Sequence, residues 1–318
     1  MQHRFSKTLF LQVLALVALI AAAAALLARW PDRAELGERT ATLRLVPADW
    51  SAADVAPLRL AGAWEVMSND PRIGGVSALA LDRQGFVALT DSGVIVRFAR
   101  PSKAVARALV SELPGGPGPP ALKVNRDSEA LVADPLGRGW WVAFENRNQL
   151  WLYDRGFTRP LSRADFGTGR WPRNQGVEGL ASGRNGILSF PEDGESILLW
   201  TGRRVINLPL ERPLGQISDA ARLPGGRLAV VHRQVTPLGF TNAITLLDPL
   251  AGGGFRTARS FPLRGHRRDN VEALAAERLP DGRTRLWLMT DDNFQRPLRT
   301  LLIALDVPRD AFGQARGG

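Results

Sequence analysis

The chain has 318 residues, 45% of them hydrophobic, and its 41 lysine and arginine residues outnumber 31 aspartate and glutamate residues for a net charge of +10. It contains no cysteine and only three histidines, which excludes a disulfide framework and a cysteine-linked lipid anchor. The basic residues are nearly all arginines scattered among acids, with no basic stripe and no aromatic stacking motif, so nucleic acid is not an expected partner.

At the N-terminus, His3, Arg4 and Lys7 precede an apolar stretch over residues 9–28 that only Gln12 interrupts, and Arg29-Trp30-Pro31-Asp32-Arg33 closes it. Charged, then apolar, then polar is the order of a secretory signal. About 20 apolar residues also suffice to cross a bilayer as a helix. Residues 1–28 are therefore read as a signal peptide or a membrane anchor, a hydrophobic helix in the second case, with small residues at 21–25 available for cleavage. Positive charge ahead of the segment sends the rest of the chain across the membrane. The expected location is the periplasm or another extracytoplasmic space, secreted or anchored, with the membrane as a partner through this segment.

Residues 29–56 are read as a linker and residues 57–67 as a strand. An acidic phrase then recurs: Asp127-Ser128-Glu129-Ala130-Leu131, Gly176-Val177-Glu178-Gly179-Leu180, Ile217-Ser218-Asp219-Ala220-Ala221 and Asn270-Val271-Glu272-Ala273-Leu274, with Gly75-Val76-Ser77-Ala78-Leu79 as an earlier copy bearing a serine. Ser77, Glu129, Glu178, Asp219 and Glu272 are separated by 52, 49, 41 and 53 residues. Periods in this range mark a modular array.

Each phrase is followed by short apolar runs joined by turn residues, such as Asp82-Arg83-Gln84-Gly85, Gly183-Arg184-Asn185-Gly186 and Pro280-Asp281-Gly282. Four short strands per period, repeated radially, define an all-β fold, a β-propeller of four-stranded blades. The phrases give five blades, and the last has room for three strands before the chain ends. The strand at 57–67 can supply the fourth and close the ring, which removes the exposed edges. Six blades remain open if one lies unmarked within residues 40–64. The propeller is expected over residues 57–310, with 311–318 as a tail.

In an antiparallel blade the start of the first strand and the end of the second share one face. The second strands end on Asp91, Glu145, Glu192, His232-Arg233 and Asp291-Asp292. The mouth of the central channel should thus gather Glu129, Glu178, Asp219 and Glu272, with Asp91, Glu145, Glu192, Asp291 and Asp292 in a wider circle. Like charges this close need protonation, arginine pairing or a bound cation. An oxygen-only ligand set favours calcium over zinc. The alternative is a structural ring in which each acid accepts backbone N–H bonds from the neighbouring blade.

The phrases around Ser77, Glu129 and Glu178, with Leu286-Trp287-Leu288-Met289-Thr290-Asp291-Asp292-Asn293-Phe294, resemble the phytase-like propeller family described by an esterase-like activity. The resemblance implies a secreted or membrane-associated hydrolase of phosphate or carboxylic esters, with calcium as cofactor and a small-molecule ester as substrate. Ala130 and Ala273 stand where glycine is common, and Ser92 where a second aspartate would be expected. In that setting Glu178, Glu272 and His232 are candidate catalytic groups, and Arg126, Arg147, Arg173, Arg233 and Arg268 are candidates to grip phosphate oxygens. A non-catalytic binding propeller and a calcium-dependent lactonase are the alternatives. No Gly-x-Ser-x-Gly elbow occurs, so a strained nucleophilic serine is not indicated.

Overall fold

Short apolar runs punctuated by turn residues become antiparallel strands in the computed structural model, which describes residues 37–119, 122–167, 171–172, 175–265 and 269–308. The turns form as their residues require. In the first, Asp82 Oδ1 accepts the N–H groups of Gln84 (2.7 Å) and Gly85 (2.8 Å), a side-chain mimic of a backbone turn.

Two strands, β1 (Arg39–Pro47) and β2 (Arg59–Ser68), flank a one-turn helix α1 (Ala52–Val55) ahead of the repeats. Blade 1 is β3 (Val76–Leu81), β4 (Phe86–Thr90), β5 (Val94–Phe98) and β6 (Val105–Glu112); blade 2 is β7 (Ser128–Ala133), β8 (Gly139–Phe144), β9 (Gln149–Asp154) and β10 (Pro160–Asp165). Blade 3 is β11 (Val177–Ser182), β12 (Ile187–Pro191), β13 (Ile197–Trp200) and β14 (Val205–Leu208), and blade 4 is β15 (Ile217–Arg222), β16 (Leu228–Thr236), β17 (Gly239–Pro249) and β18 (Phe255–Leu263). Blade 5 takes β19 (Asn270–Arg278), β20 (Thr284–Asp291) and β21 (Leu301–Val307), and β2 pairs with β21 as its outer strand. The inner strands β3, β7, β11, β15 and β19 pack in sequence around an axis, and β19 returns to β3.

Five blades close the ring, and the strand expected at 57–67 closes it as β2. No sixth blade exists in residues 40–64, all of which are described. Residues 29–56 were expected to be a linker, yet they contain β1, which pairs with β2 on one side (Leu43 opposite Ser68) and β6 on the other (Arg39 opposite Val110). β1 thereby welds the outer edges of blades 5 and 1 into one nine-stranded sheet, leaving neither edge open.

The core lies between blades. Val87, Leu89 and Ile95 of blade 1 pack on Leu131, Val142 and Phe144 of blade 2, and comparable layers fill the other four junctions among the described residues. Trp140, Trp141 and Trp287 each fill such a layer. Because every blade is sandwiched, its inner two strands are buried on both faces and read as near-continuous apolar runs: all five residues of β4, FVALT, are buried. At the blade 4–5 junction, buried Asp269 holds Trp50 Nε1 at 2.7 Å and Arg299 Nη2 at 3.0 Å, pinning the segment ahead of α1. No helix among the described residues is long and apolar enough to cross a membrane; the apolar segment 9–28 and the tail 311–318 lie outside them.

Candidate functional site

Every inner strand carries a β-bulge at the same place, between Val76 and Ala78, Ser128 and Ala130, Val177 and Gly179, Ile217 and Asp219, and Val271 and Ala273. The extra residue of a bulge is left out of the ladder and its side chain is re-aimed. The five bulged residues are Ser77, Glu129, Glu178, Ser218 and Glu272. Blades 2, 3 and 5 therefore put a glutamate on the axis, and blades 1 and 4 put a serine there.

A second circle comes from the residue after each second strand's last inner pairing. The N–H groups of Asp91, Glu145, Glu192 and Arg233 bond to the carbonyls of Gly75, Asp127, Gly176 and Gln216 at 2.8–3.0 Å, one repeated backbone seat. Asp291, paired with Asn270, completes the circle in blade 5. Blade 4 is again the exception, with an arginine where its neighbours have carboxylates.

The three glutamates of the first circle and all five residues of the second line a cavity of about 900 Å³ at the mouth, together with Lys123, Val124, Asp127, Asn146, Arg147 and Asn293. Seven predicted ligands or acids meet there: Asp91, Glu129, Glu145, Glu178, Glu192, Glu272 and Asp291. One oxygen each from Asp127, Glu129 and Glu145 lies within 4.8 Å of the others, and the same holds for Glu145, Glu178 and Glu192. Glu145 belongs to both triads.

Other expected residues stand elsewhere. Asp219 is one place beyond the bulge, where the other copies have glycine or alanine, so it turns between blades. Its Oδ2 accepts the N–H of Leu274 in blade 5 (2.6 Å) and its Oδ1 that of Ala220 (2.7 Å). It realises the structural-ring alternative and does not line the cavity. Asp292 is also drawn away: its Oδ1 takes the N–H groups of Gly75 (2.9 Å) and Phe294 (3.1 Å), stitching blade 5 to blade 1. Gly75 has a φ of +58°, and a Cβ there would sit 2.7 Å from Asp91 Oδ1.

His232 does not reach the mouth. Its Nδ1 lies 2.7 Å from the Leu214 carbonyl and its Nε2 2.6 Å from Thr245 Oγ1, so both ring nitrogens are engaged, and burial holds its pKa low against the pull of that carbonyl. Arg126 is buried under the loop before β7, donating from Nη1 to the Asn125 carbonyl at 3.0 Å. Arg147 and Arg233 do line the cavity. Arg233 pairs with Glu272 and donates to Asn270 Oδ1 at 3.1 Å, while Arg147 Nε donates to Asn125 Oδ1 at 2.9 Å. Arg173 and Arg268 lie outside the described residues.

Two charged contributors had no role assigned from sequence. Asp127 lies two residues before Glu129, the period-two spacing that places side chains on one face of a strand. Lys123 pairs with Asp127 and, at 3.1 Å, with Asp91; only its proximity to a phrase marks it in sequence.

The charge balance explains the titration of the site. Burial, then Asp127 and Glu192, push Glu145 up to about 8, with Lys123 pulling the other way. Glu129 and Glu178 are raised by burial and by each other's neighbourhood of carboxylates, Glu178 partly relieved by Arg233. Burial also raises Glu192, and lifts Asp291 to about 7 against the Asn293 N–H. Burial opposes the charge on Lys123, yet Asp91, Asp127 and Glu129 outweigh it and hold the amine protonated above its ordinary range. With three cations, Lys123, Arg147 and Arg233, among eight acids lining the cavity, the protein by itself does not neutralise the mouth. A hard cation with all-oxygen ligands fits the two triads.

Fold and site together define a five-bladed β-propeller with a carboxylate-lined, cation-fitting mouth. Residues 71–294 match the phytase-like family described as "esterase-like activity of phytase", and the chain belongs to that family of hydrolase-type propellers. No curated protein sequence matches it. Among solved structures it is similar to Myxococcus xanthus glutaminyl cyclase (11% identity, 79% of this chain and 97% of that one, TM-score 0.49). It is also similar to the Malassezia sympodialis allergen Mala s 1 (11%, 78% and 89%, 0.47) and the WD40 propeller domain of Doa1 (11%, 81% and 99%, 0.42).

Proposed function

We propose that the protein is an exported, calcium-dependent ester hydrolase whose reaction takes place at the propeller mouth. The observation that carries this reading is the pair of carboxylate triads sharing Glu145 beside Lys123, Arg147 and Arg233 in one cavity. Asp127, Glu129 and Glu145 would hold one calcium, and Glu145, Glu178 and Glu192 a second. Calcium so held supplies Lewis acidity towards an ester oxygen and water.

The chain's own groups divide the remaining work. Arg147 and Lys123 offer donors to the anionic oxygens of a phosphate or carboxylic ester. Glu178, which a neighbouring cation would keep ionised, would accept the proton of the attacking water at its carboxylate. Glu272 is held by Arg233 and by Asn270 Nδ2 at 2.7 Å, so it positions Arg233 rather than taking protons. His232 has no part in the chemistry. Substrate is a small-molecule ester, and the compartment is periplasmic or otherwise extracytoplasmic.

A non-catalytic binding propeller is the second reading, favoured by Asp219 and Asp292, whose carboxylates serve the backbone. Stripping the protein with chelator, restoring calcium, and measuring melting temperature and turnover of phosphate- and carboxylic-ester panels on the same samples separates the two. A calcium-dependent rise in melting temperature with turnover is expected, because a ligand of the native state stabilises it by mass action. No calcium effect and no turnover would overturn the hydrolase.

A further inference from the structure

We propose that Arg233 is a tethered cation standing where the mouth would otherwise take a third calcium ion, so that this one side chain sets how many metal ions the site accepts. The proposal rests on the calcium reading above and deepens it.

The blades repeat one backbone seat, so the residues that share it can be compared position by position. In blades 1 to 4 the residue that closes the second strand donates its N–H to the carbonyl two places ahead of the bulged residue: Asp91 to Gly75, Glu145 to Asp127, Glu192 to Gly176 and Arg233 to Gln216. Asp291 stands opposite Asn270, which is likewise two places ahead of Glu272. Each corner between neighbouring blades therefore presents the closing residue of one blade with the bulged and closing residues of the next.

Between blades 2 and 3 this rule gives Glu145, Glu178 and Glu192, one of the two carboxylate triads. Between blades 4 and 5 it gives Arg233, Glu272 and Asp291, and all three line the cavity. That corner keeps two carboxylates and exchanges the third for a guanidinium. Such an exchange raises the local charge by two units, which is what a divalent ion brings. Arg233 delivers the charge in place: it pairs with Glu272 and donates from Nη1 to Asn270 Oδ1 at 3.1 Å, while Asn270 Nδ2 donates to Glu272 at 2.7 Å. Burial raises Asp291, Glu178 and Glu192, and Arg233 opposes that rise in all three, so its charge acts across the corner as an ion's would. Among the described residues, Glu272 and Asp291 belong to no group of three acids with metal-ligand spacing.

The corner between blades 1 and 2 follows the same logic. The rule gives Asp91, Glu129 and Glu145, yet the triad there has Asp127 in place of Asp91, whose Oδ2 lies 3.1 Å from Lys123 Nζ. The other two corners carry Ser77 and Ser218 at the bulge. Of the three corners with a bulged glutamate, two are open to a metal ion and one is filled by the chain itself. A charge-assisted pair of this kind survives chelation and keeps blades 4 and 5 joined when the other corners are stripped.

Titration calorimetry of the chelator-stripped, full-length protein with calcium counts the ions, and melting temperature with and without calcium reads the same sites by mass action. Arg233→Glu returns a carboxylate to the seat, and Arg233→Lys keeps a cation there. The parent and Arg233→Lys should bind two calcium ions per chain, and Arg233→Glu three. In chelator Arg233→Glu should melt below the parent, because three close acids repel one another, and excess calcium should raise its melting temperature further than it raises the parent's. Equal ion counts in Arg233→Glu and the parent, a calcium-induced rise no larger than the parent's, a third ion in Arg233→Lys, or failure of Arg233→Glu to fold in excess calcium would overturn the proposal. The outcomes separate it from the calcium reading. One ion in Arg233→Glu with none in the parent discards the calcium-dependent hydrolase and keeps the tethered cation; two ions in each discards the tethered cation and keeps the hydrolase; none in either discards both.

Discussion

Replacing Glu145 with glutamine tests the charge state of the mouth most directly. In the metal-free protein Glu145 is raised from 4.5 to about 8 by burial first and by Asp127 and Glu192 next, so the folded state prefers it protonated. Its stabilising contribution is full below pH 4.5 and is lost as pH rises through 8. Glutamine keeps the size and the acceptor for Asn146 Nδ2, which lies 3.2 Å from Glu145 Oε2, but has no proton to lose. Glu145→Gln should therefore match the parent near pH 4.5 and exceed it by about 3 kcal/mol at pH 7 and about 5 kcal/mol above pH 8. At about 2 °C per kcal/mol for a domain of this size, that is a rise of about 6 °C at pH 7 and about 10 °C above pH 8. Differential scanning calorimetry across pH 4.5–9 in excess chelator reads it. Excess calcium should reverse the order, because Glu145 serves both triads and its loss weakens both. A variant less stable than the parent at pH 8 in chelator would refute the reasoning and make Glu145 a structural acceptor.

Three further outcomes follow from the geometry. Asp219→Ala leaves the buried N–H groups of Leu274 and Ala220 without their acceptor, at roughly 1–3 kcal/mol each, so its melting temperature should fall by several degrees while calcium still raises it; loss of the calcium response would place Asp219 in the metal site. His232→Gln should leave the pH profile of ester turnover unchanged, with turnover within about twofold of the parent, whereas a profile that loses its basic limb would return His232 to the chemistry. Gly75→Ala forces a Cβ to 2.6 Å from Phe294 Cε2 and 2.7 Å from Asp91 Oδ1 and a side chain into positive φ, at about 1–3 kcal/mol; calorimetry should show the loss, and an unaltered melting temperature would mean that Phe294 and Asp91 shift freely.

Much of the propeller was legible because blades obey local rules. Turn residues, four short apolar strands and a recurring phrase are sequence properties, and the outer strand at 57–67 followed from counting the strands of the last blade. β1 was read as linker although Ala41, Leu43 and Leu45 alternate with exposed Thr40, Thr42 and Arg44, because an isolated alternating segment says nothing about which two edges it joins.

The chain by itself determined the repeating four-stranded blade, the acid at the start of inner strands and the oxygen-only chemistry of the mouth, because these depend on residue type and short-range spacing; the choice of five blades over six needed the ring. Tertiary structure alone decided which acids converge. In Ile217-Ser218-Asp219 the bulge falls on Ser218, and only the pairing with β16 reveals that; one residue of register sends Asp219 between blades instead of into the cavity. Lys123, Asp127 and Arg233 reach the site through loop path and blade packing, and Asn242, whose Nδ2 donates to the Asp269 carbonyl at 2.8 Å, braces the neighbouring turn for the same reason. A side chain's direction at a bulge is fixed by its partner strand, and partners many residues apart are matched only when the ring closes.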